Sequence, residues 1–436
     1  VDALAGGRTR RWTHSPVDAL AGGRTRRWDV LIGRSTPAVA WPARASHTGR
    51  VRRHYLDHAS TAPLRPEAHR AMLGALELAA GGHLGDPGRI HAEGHTARDL
   101  IETARDQVAG FLDVRPRQVV LTSGATEAIN AAVWGATRAR PQRPVILADV
   151  EHSAVRQSSA RLAPVRAVEV SSSGRIDPDA VEAALQAAAV DGGPAALVHC
   201  QLANHEVGTV QPVAAIAELC RRFGVPLHVD AAAGAGHLAL HVDELGADLV
   251  SVSAHKLGGP PGAGCLVVRR GLRIEPLLVG GDQERARRAG LEDVIAIAGF
   301  GAAAEALAEP GRLAGEAAAQ RTLTNRLVAD ATAVDGIGLL GAPDAENRLP
   351  HLVCLAVDGV EAEPVLLALD QAGIAAHSGS SCASEALAPS PVLAAMGVDA
   401  ERSLRLSVGW STTADDITAF AAAFGPAVAR LRALRG

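Results

Sequence analysis

The 436-residue chain balances 43 Lys+Arg against 47 Asp+Glu, and a net charge of −4 offers no cationic surface for nucleic acid. Hydrophobic residues make up 47% and aromatics only 3%, so a sizeable core is available and aliphatic side chains must fill it. No apolar run has the length of a membrane span. Five scattered cysteines (Cys200, Cys220, Cys265, Cys354 and Cys382) without CxxC spacing argue against a disulfide framework or a zinc site and fit a reducing cytoplasm.

Residues 1–50 read as foreign to the rest: Val-Asp-Ala-Leu-Ala-Gly-Gly-Arg-Thr-Arg-Arg-Trp occurs at 1–12 and again, unchanged, at 17–28. A perfect duplication without hydrophobic periodicity predicts a disordered tail or a misassigned start. The ordered body is expected from Tyr55-Leu56-Asp57-His58-Ala59-Ser60-Thr61-Ala62-Pro63, followed by helices at 66–80 and 91–112 around a Gly-rich loop. Apolar strands then alternate with helices: strands at 119–123, 145–150, 196–202, 226–230, 248–253 and 264–269, helices near 126–136, 178–188 and 213–223. That alternation predicts an α/β fold with a mostly parallel sheet flanked by helices. After Glu309 the composition turns to Ala-rich helix and then to strands at 352–357 and 403–408, read as a smaller α+β part. The boundaries drawn are a large domain over 67–309 and a small one from 51–66 plus 310–436.

Lys256 is the only lysine in the sequence; every other basic residue of the Lys+Arg count is arginine. Arginine stays protonated, whereas a partly desolvated lysine can become a neutral amine and attack a carbonyl, which points to Schiff-base chemistry and to pyridoxal phosphate as the aldehyde. In open parallel sheets ligands sit beyond the carboxyl ends of the strands. His152, Asn204, Asp230 and His255-Lys256 all fall at such ends. Ser123-Gly124-Ala125-Thr126 joins a strand to a helix start, whose N–H groups suit a phosphate. Asp230 is placed to face a protonated pyridine nitrogen. Cys382, in the small polar stretch Ser378-Gly379-Ser380-Ser381-Cys382, reads as an accessible thiol nucleophile rather than a core cysteine, and Arg405 as a fork for a substrate carboxylate.

With these motifs in order (YLDHASTAP, HAEGHTAR, TSGATEAIN, EHSAV, ANHEVGTVQP, LHVDAA, SVSAHKLGGPPGAG, SGSSCAS and LRLSVGWSTT), the chain from about Tyr55 to Ala423 resembles the NifS-like cysteine desulfurases of the class V aminotransferase family. The resemblance implies the type I fold of pyridoxal 5′-phosphate enzymes and a homodimer. It assigns Lys256 to the aldehyde and the α-proton, Asp230 to the pyridine nitrogen, and His152 to stacking on the ring and relaying protons. Ala125, Thr126, Ser253 and His255 hold the phosphate, and Asn204 and Arg405 orient the amino-acid carboxylate. Cys382 takes sulfur from L-cysteine as a persulfide for an iron–sulfur scaffold or thiolation protein, and no metal is expected in the free enzyme. The stretch after SGSSC resembles the longer loop of the subgroup that delivers sulfur to scaffolds. Three positions depart from the pattern: Ala233 in place of a glutamine that bonds the ring oxygen, Leu291 in place of a threonine that reaches the neighbouring subunit's phosphate, and His205 in place of a second asparagine. Two alternatives stay open: a selenocysteine lyase or related C–S lyase, which would not need Cys382, and a cofactor-bound scaffold acting by docking, which Ala233 keeps alive.

Overall fold

The computed structural model describes residues 52–378 and 390–434. The duplicated segment within 1–50 and Cys382 lie outside the described residues.

Seven strands form the larger sheet: β1 (Val119–Thr122), β2 (Val145–Ala148), β3 (Val165–Val168), β4 (Leu197–Gln201), β5 (Leu227–Asp230), β6 (Leu249–Ser253) and β7 (Gly264–Val268). Their spatial order is β1-β7-β6-β5-β4-β2-β3, and every pairing is parallel except those of β7 with β1 and β6. The strands are apolar on both sides because helices cover both faces. Val119, Leu121, Ile146, Val198, Val229 and Val250 pack with helices Ala92–Phe111, Pro178–Val190, Val213–Phe223 and Val294–Ala308. Val120, Val145, Leu147, Leu197 and Leu249 pack on the other face with helices Ala125–Ala139 and Ser153–Leu162.

Helix Val294–Ala308, which the sequence reading left unassigned, is apolar nearly all round and mostly buried; such a helix shows no amphipathic stripe to find. Helix Ser153–Leu162 and β3 were also unassigned: β3 is an edge strand with two exposed residues, and its VRAV is too polar to read as core. Strand β2 ends at Ala148, two residues before the predicted Val150, because the chain turns there (Glu151 N–H to Ala148 O, 3.0 Å) to start helix Ser153–Leu162.

A second sheet, antiparallel, comprises β8 (Ile337–Leu340), β9 (Leu352–Val357), β10 (His377–Ser378) and β11 (Ser403–Ser407) in the order β10-β11-β9-β8. Its core joins Val353, Leu355, Leu404 and Leu406 to Phe420 and Phe424 of helix Ala414–Ala433. The N-terminal segment forms a separate two-stranded sheet, His54–Tyr55 parallel to Ile374–Ala375, and then bridges the antiparallel sheet from Asp57 to Ser407.

The end of β1 is fixed by a buried ion pair. Arg105 places Nη1 and Nη2 on Glu284 at 2.6 Å each and Nη1 also on the Val119 carbonyl at 3.1 Å, while Glu284 accepts the Leu121 N–H at 2.8 Å. Beyond β1, Gly124 has φ +150°, and Gly264 of β7 passes so close that a Cβ there would lie 2.6 Å from the Gly124 Cα and from the Val252 carbonyl oxygen. A methyl group has no room between three backbones. Gly264→Ala is expected to destabilise the protein by about 1–3 kcal/mol, read as a lower urea midpoint; an unchanged midpoint contradicts the close approach.

Candidate active site

The carboxyl ends of β1, β2, β4, β5 and β6 open on a cavity of about 480 Å³. Strand periodicity builds its floor. Successive side chains on a strand point to opposite faces, so in His199-Cys200-Gln201, His228-Val229-Asp230 and Ser251-Val252-Ser253 the polar residues share the face opposite the core carrying Cys200, Val229 and Val252. Register aligns them: Gln201 lies beside Asp230, and Asp230 beside Ser251. Asp230, 7% exposed, accepts at Oδ1 from the Ala232 N–H (3.0 Å) and from the Ser251 hydroxyl (3.3 Å). Deeper along the same rows, His199 and His228 share a proton between their Nδ1 atoms at 2.8 Å, and burial drives both imidazoles toward the neutral form, His228 to about 4.

Gly124, Ala125 and Thr126 line one end of the cavity at the start of helix Ala125–Ala139, beside Ser253 and His255. Ser253 Oγ and His255 Nδ1 share a hydrogen bond at 2.7 Å; burial, reinforced by Lys256, depresses the His255 pKa to about 4, so the ring is neutral at neutral pH. Glu127 closes this end. Burial raises its pKa, but the bonds from Arg288 (2.8 and 3.2 Å) and from Ser123 outweigh that and hold the carboxyl below its usual range. The helix start, with its dipole, and the small side chains form an anion cradle here.

Lys256 stands in the short helical turn Ala254–Lys256 after β6. Its Nζ donates to the carbonyls of Ala59 and of Ser60, the latter at 3.2 Å. Arg405, on β11 and 2% exposed, donates to Asp57 (3.1 Å), Ser60 Oγ (2.6 Å) and the His205 carbonyl (3.1 Å); its Nε has no partner among the described residues. His152 caps helix Ser153–Leu162 by accepting the Ala154 N–H at Nδ1 (3.0 Å). Its ring meets that of His205 edge to face, with centroids 5.0 Å apart.

Ala125, Thr126, His152, Asp230, Ser253, His255, Lys256 and Arg405 therefore line one cavity, with His205 and Ala233 in its wall. Asn204, expected at the ligand, instead braces the loop. Fully buried, it donates one Nδ2–H to the Val150 carbonyl (3.1 Å) and accepts at Oδ1 from the N–H groups of Glu206 and Val207 (2.9 Å each), which engages its oxygen and one of its two amide N–H donors. Leu291 is 65% exposed and outside the cavity wall. Sequence reasoning assigned no role to Asp57, Ser60, Gln201 or Glu151, although polar residues repeating at every second position of three successive strands were a usable signal for the floor.

The Aminotransferase class-V family model matches residues 54–420. A "Cysteine desulfurase IscS 1" of Archaeoglobus fulgidus is 35% identical over 87% of this chain and 98% of its own. An "IscS-like cysteine desulfurase" of Mycobacterium tuberculosis is 38% identical over 87% of this chain and 97% of its own. Among solved structures, a "NifS-like protein" superposes with a TM-score of 0.78 at 28% identity, covering 87% of this chain and all (100%) of that one. SspA, solved in complex with cysteine, superposes at 0.69 and 26% identity, covering 83% of this chain and 100% of its own. The chain belongs to the class-V aminotransferase family and, within it, to the NifS-like cysteine desulfurases.

Proposed function

We propose that this enzyme is a pyridoxal 5′-phosphate-dependent cysteine desulfurase that converts L-cysteine to L-alanine and passes the sulfur to Cys382. The observation that carries the reading is the convergence of the sole lysine, a floor carboxylate and a buried arginine with a spare donor on one cavity beside an anion cradle.

The donor set fits the cofactor. The start of helix Ala125–Ala139 with Ser253 and His255 would hold its phosphate, Asp230 its ring nitrogen, and Lys256 its aldehyde carbon. When bound, pyridoxal phosphate supplies a carbonyl for amines and an electron-accepting ring. Lys256 Nζ leaves its carbonyl partners, takes the substrate α-proton and returns it. Arg405, held by Asp57 and Ser60, presents Nε–H to the substrate carboxylate, a charge-assisted bond in a dry wall. Asn204 braces the loop beside this cavity through its backbone bonds. Cys382, as the thiolate, attacks the substrate sulfur: an S–S bond forms as the Cβ–S bond breaks, its electron pair stays with Cβ, and a proton equivalent to the one lost by the thiol completes the methyl group of alanine.

Four of the cysteines, Cys200, Cys220, Cys265 and Cys354, are free and buried, which supports a reducing, cytoplasmic setting. No single helix among the described residues is long and apolar enough to cross a membrane. Exposed Leu278, Val279 and Leu291 on one stretch support a homodimer through that face. The persulfide would then be handed to a sulfur-acceptor protein, an iron–sulfur scaffold or a thiolation protein.

Lys256→Ala is expected to abolish the visible absorption of the bound cofactor and to cut alanine production by at least about 10²–10⁴-fold; a variant that keeps both overturns the reading. Cys382→Ser is expected to bind the cofactor normally and to release no sulfide from cysteine, and full activity in it refutes the persulfide role. Arg405→Lys, which keeps the charge and loses the fork, is expected to raise KM about tenfold, or about 1.4 kcal/mol, in steady-state assays.

A further inference from the structure

Glu151, beside His152 in the turn after β2, is 0% exposed. Its Oε1 accepts the Gln201 N–H at 2.7 Å, and its Oε2 has no hydrogen-bond partner among the described residues. Arg156 spends its Nε–H on the backbone carbonyl of Glu151 (3.1 Å) and not on the carboxyl. The titratable and charged groups facing the carboxyl are Asp230 from β5, Arg156 from helix Ser153–Leu162 and Cys200 from β4. Gln201, which holds Glu151, lies directly beside Asp230 in the sheet.

A fully buried carboxylate with a single donor and no paired cation is too costly to keep charged. Two carboxyls in one dry patch do not both ionise. Asp230 has two donors and opens on the cavity, so the charge belongs there. Gln201 Oε1 also lacks a partner among the described residues, so a proton on Glu151 Oε2 supplies a donor to a patch that is short of one.

We propose that Glu151 is a neutral carboxylic acid in the working enzyme and a positioning residue for Asp230, leaving the floor a single negative charge and the turn before His152 rigid. The second half rests on the functional reading above; the first does not. Burial, with the charge of Asp230 added, pushes the Glu151 carboxyl from 4.5 up to about 8. Between those values the folded protein holds a proton that the unfolded chain has lost, so this group makes stability fall as pH rises through that window.

The test uses the full chain and Glu151→Gln. Unfolding at about pH 6, followed by calorimetry in buffers of different ionisation heat, is expected to release about one proton more from the wild type than from the variant; equal release overturns the proposal. Infrared spectra of folded wild type with ¹³C-labelled glutamate are expected to show a protonated carboxylic C=O band at neutral pH that bleaches near pH 8 and is missing from Glu151→Gln. Absence of the band in the wild type refutes the assignment even where the variant fails to fold. With cofactor bound, the neutral isostere is expected to keep the wild-type absorption at neutral pH; a shift means that a charge was removed, and counts against the proposal. A protein that shows the band yet binds no pyridoxal phosphate would overturn the functional reading alone.

Discussion

The segment Asp57–Ala62 holds the site together. Its carbonyls at Ala59 and Ser60 receive Lys256 Nζ, and its Asp57 carboxylate and Ser60 hydroxyl receive the Arg405 guanidinium. Its backbone reaches both sheets, through Ala62 N–H to the His255 carbonyl (2.9 Å) and Ala59 N–H to Ser407 Oγ (2.8 Å). Two basic side chains on elements more than a hundred residues apart in sequence are thus positioned by one extended stretch. Removing Asp57 would leave the buried Arg405 guanidinium without its carboxylate, the costly case for buried pairs.

Around that clamp the cavity is electrostatically partitioned. At one end the helix start and small side chains favour an anion, and Arg288 on Glu127 keeps the nearest carboxylate compensated. Three histidines around Lys256 are kept neutral by burial: His255, His58 and His237 are each driven to about 4. His237 stacks on His351 with centroids 3.4 Å apart, in a pocket that reaches Lys256 and Ala233. Cations near the amine are therefore few, and the negative charge of the floor is concentrated at Asp230.

The departures at Ala233 and His205 belong to this same wall. A small residue at Ala233 leaves space between the larger cavity and the histidine pocket, and His205, edge-on to His152, fills part of the wall where a smaller amide is usual in the family. The contacts of Asp230, Lys256, Arg405 and the glycine pair Gly124 and Gly264 are made to backbone and charge rather than by fine packing.

The sequence alone determined the sheet-and-helix alternation, the strand ends where polar residues collect, and the solitary amine at Lys256. These are local properties: period, composition and punctuation are written residue by residue. It could not show that Asn204 braces its own loop, because nothing in ANHEVG tells whether an amide faces a ligand or folds back on its neighbours. It passed over Glu151 and Asp57, since a carboxyl beside a histidine or in a short extended segment is ordinary until its surroundings are known. Only the tertiary structure decided that Asp57 lies on Arg405, 348 residues away, and that Glu151 is sealed beside Asp230. Burial and long-range pairing are properties of the assembled chain, and they set which groups carry charge.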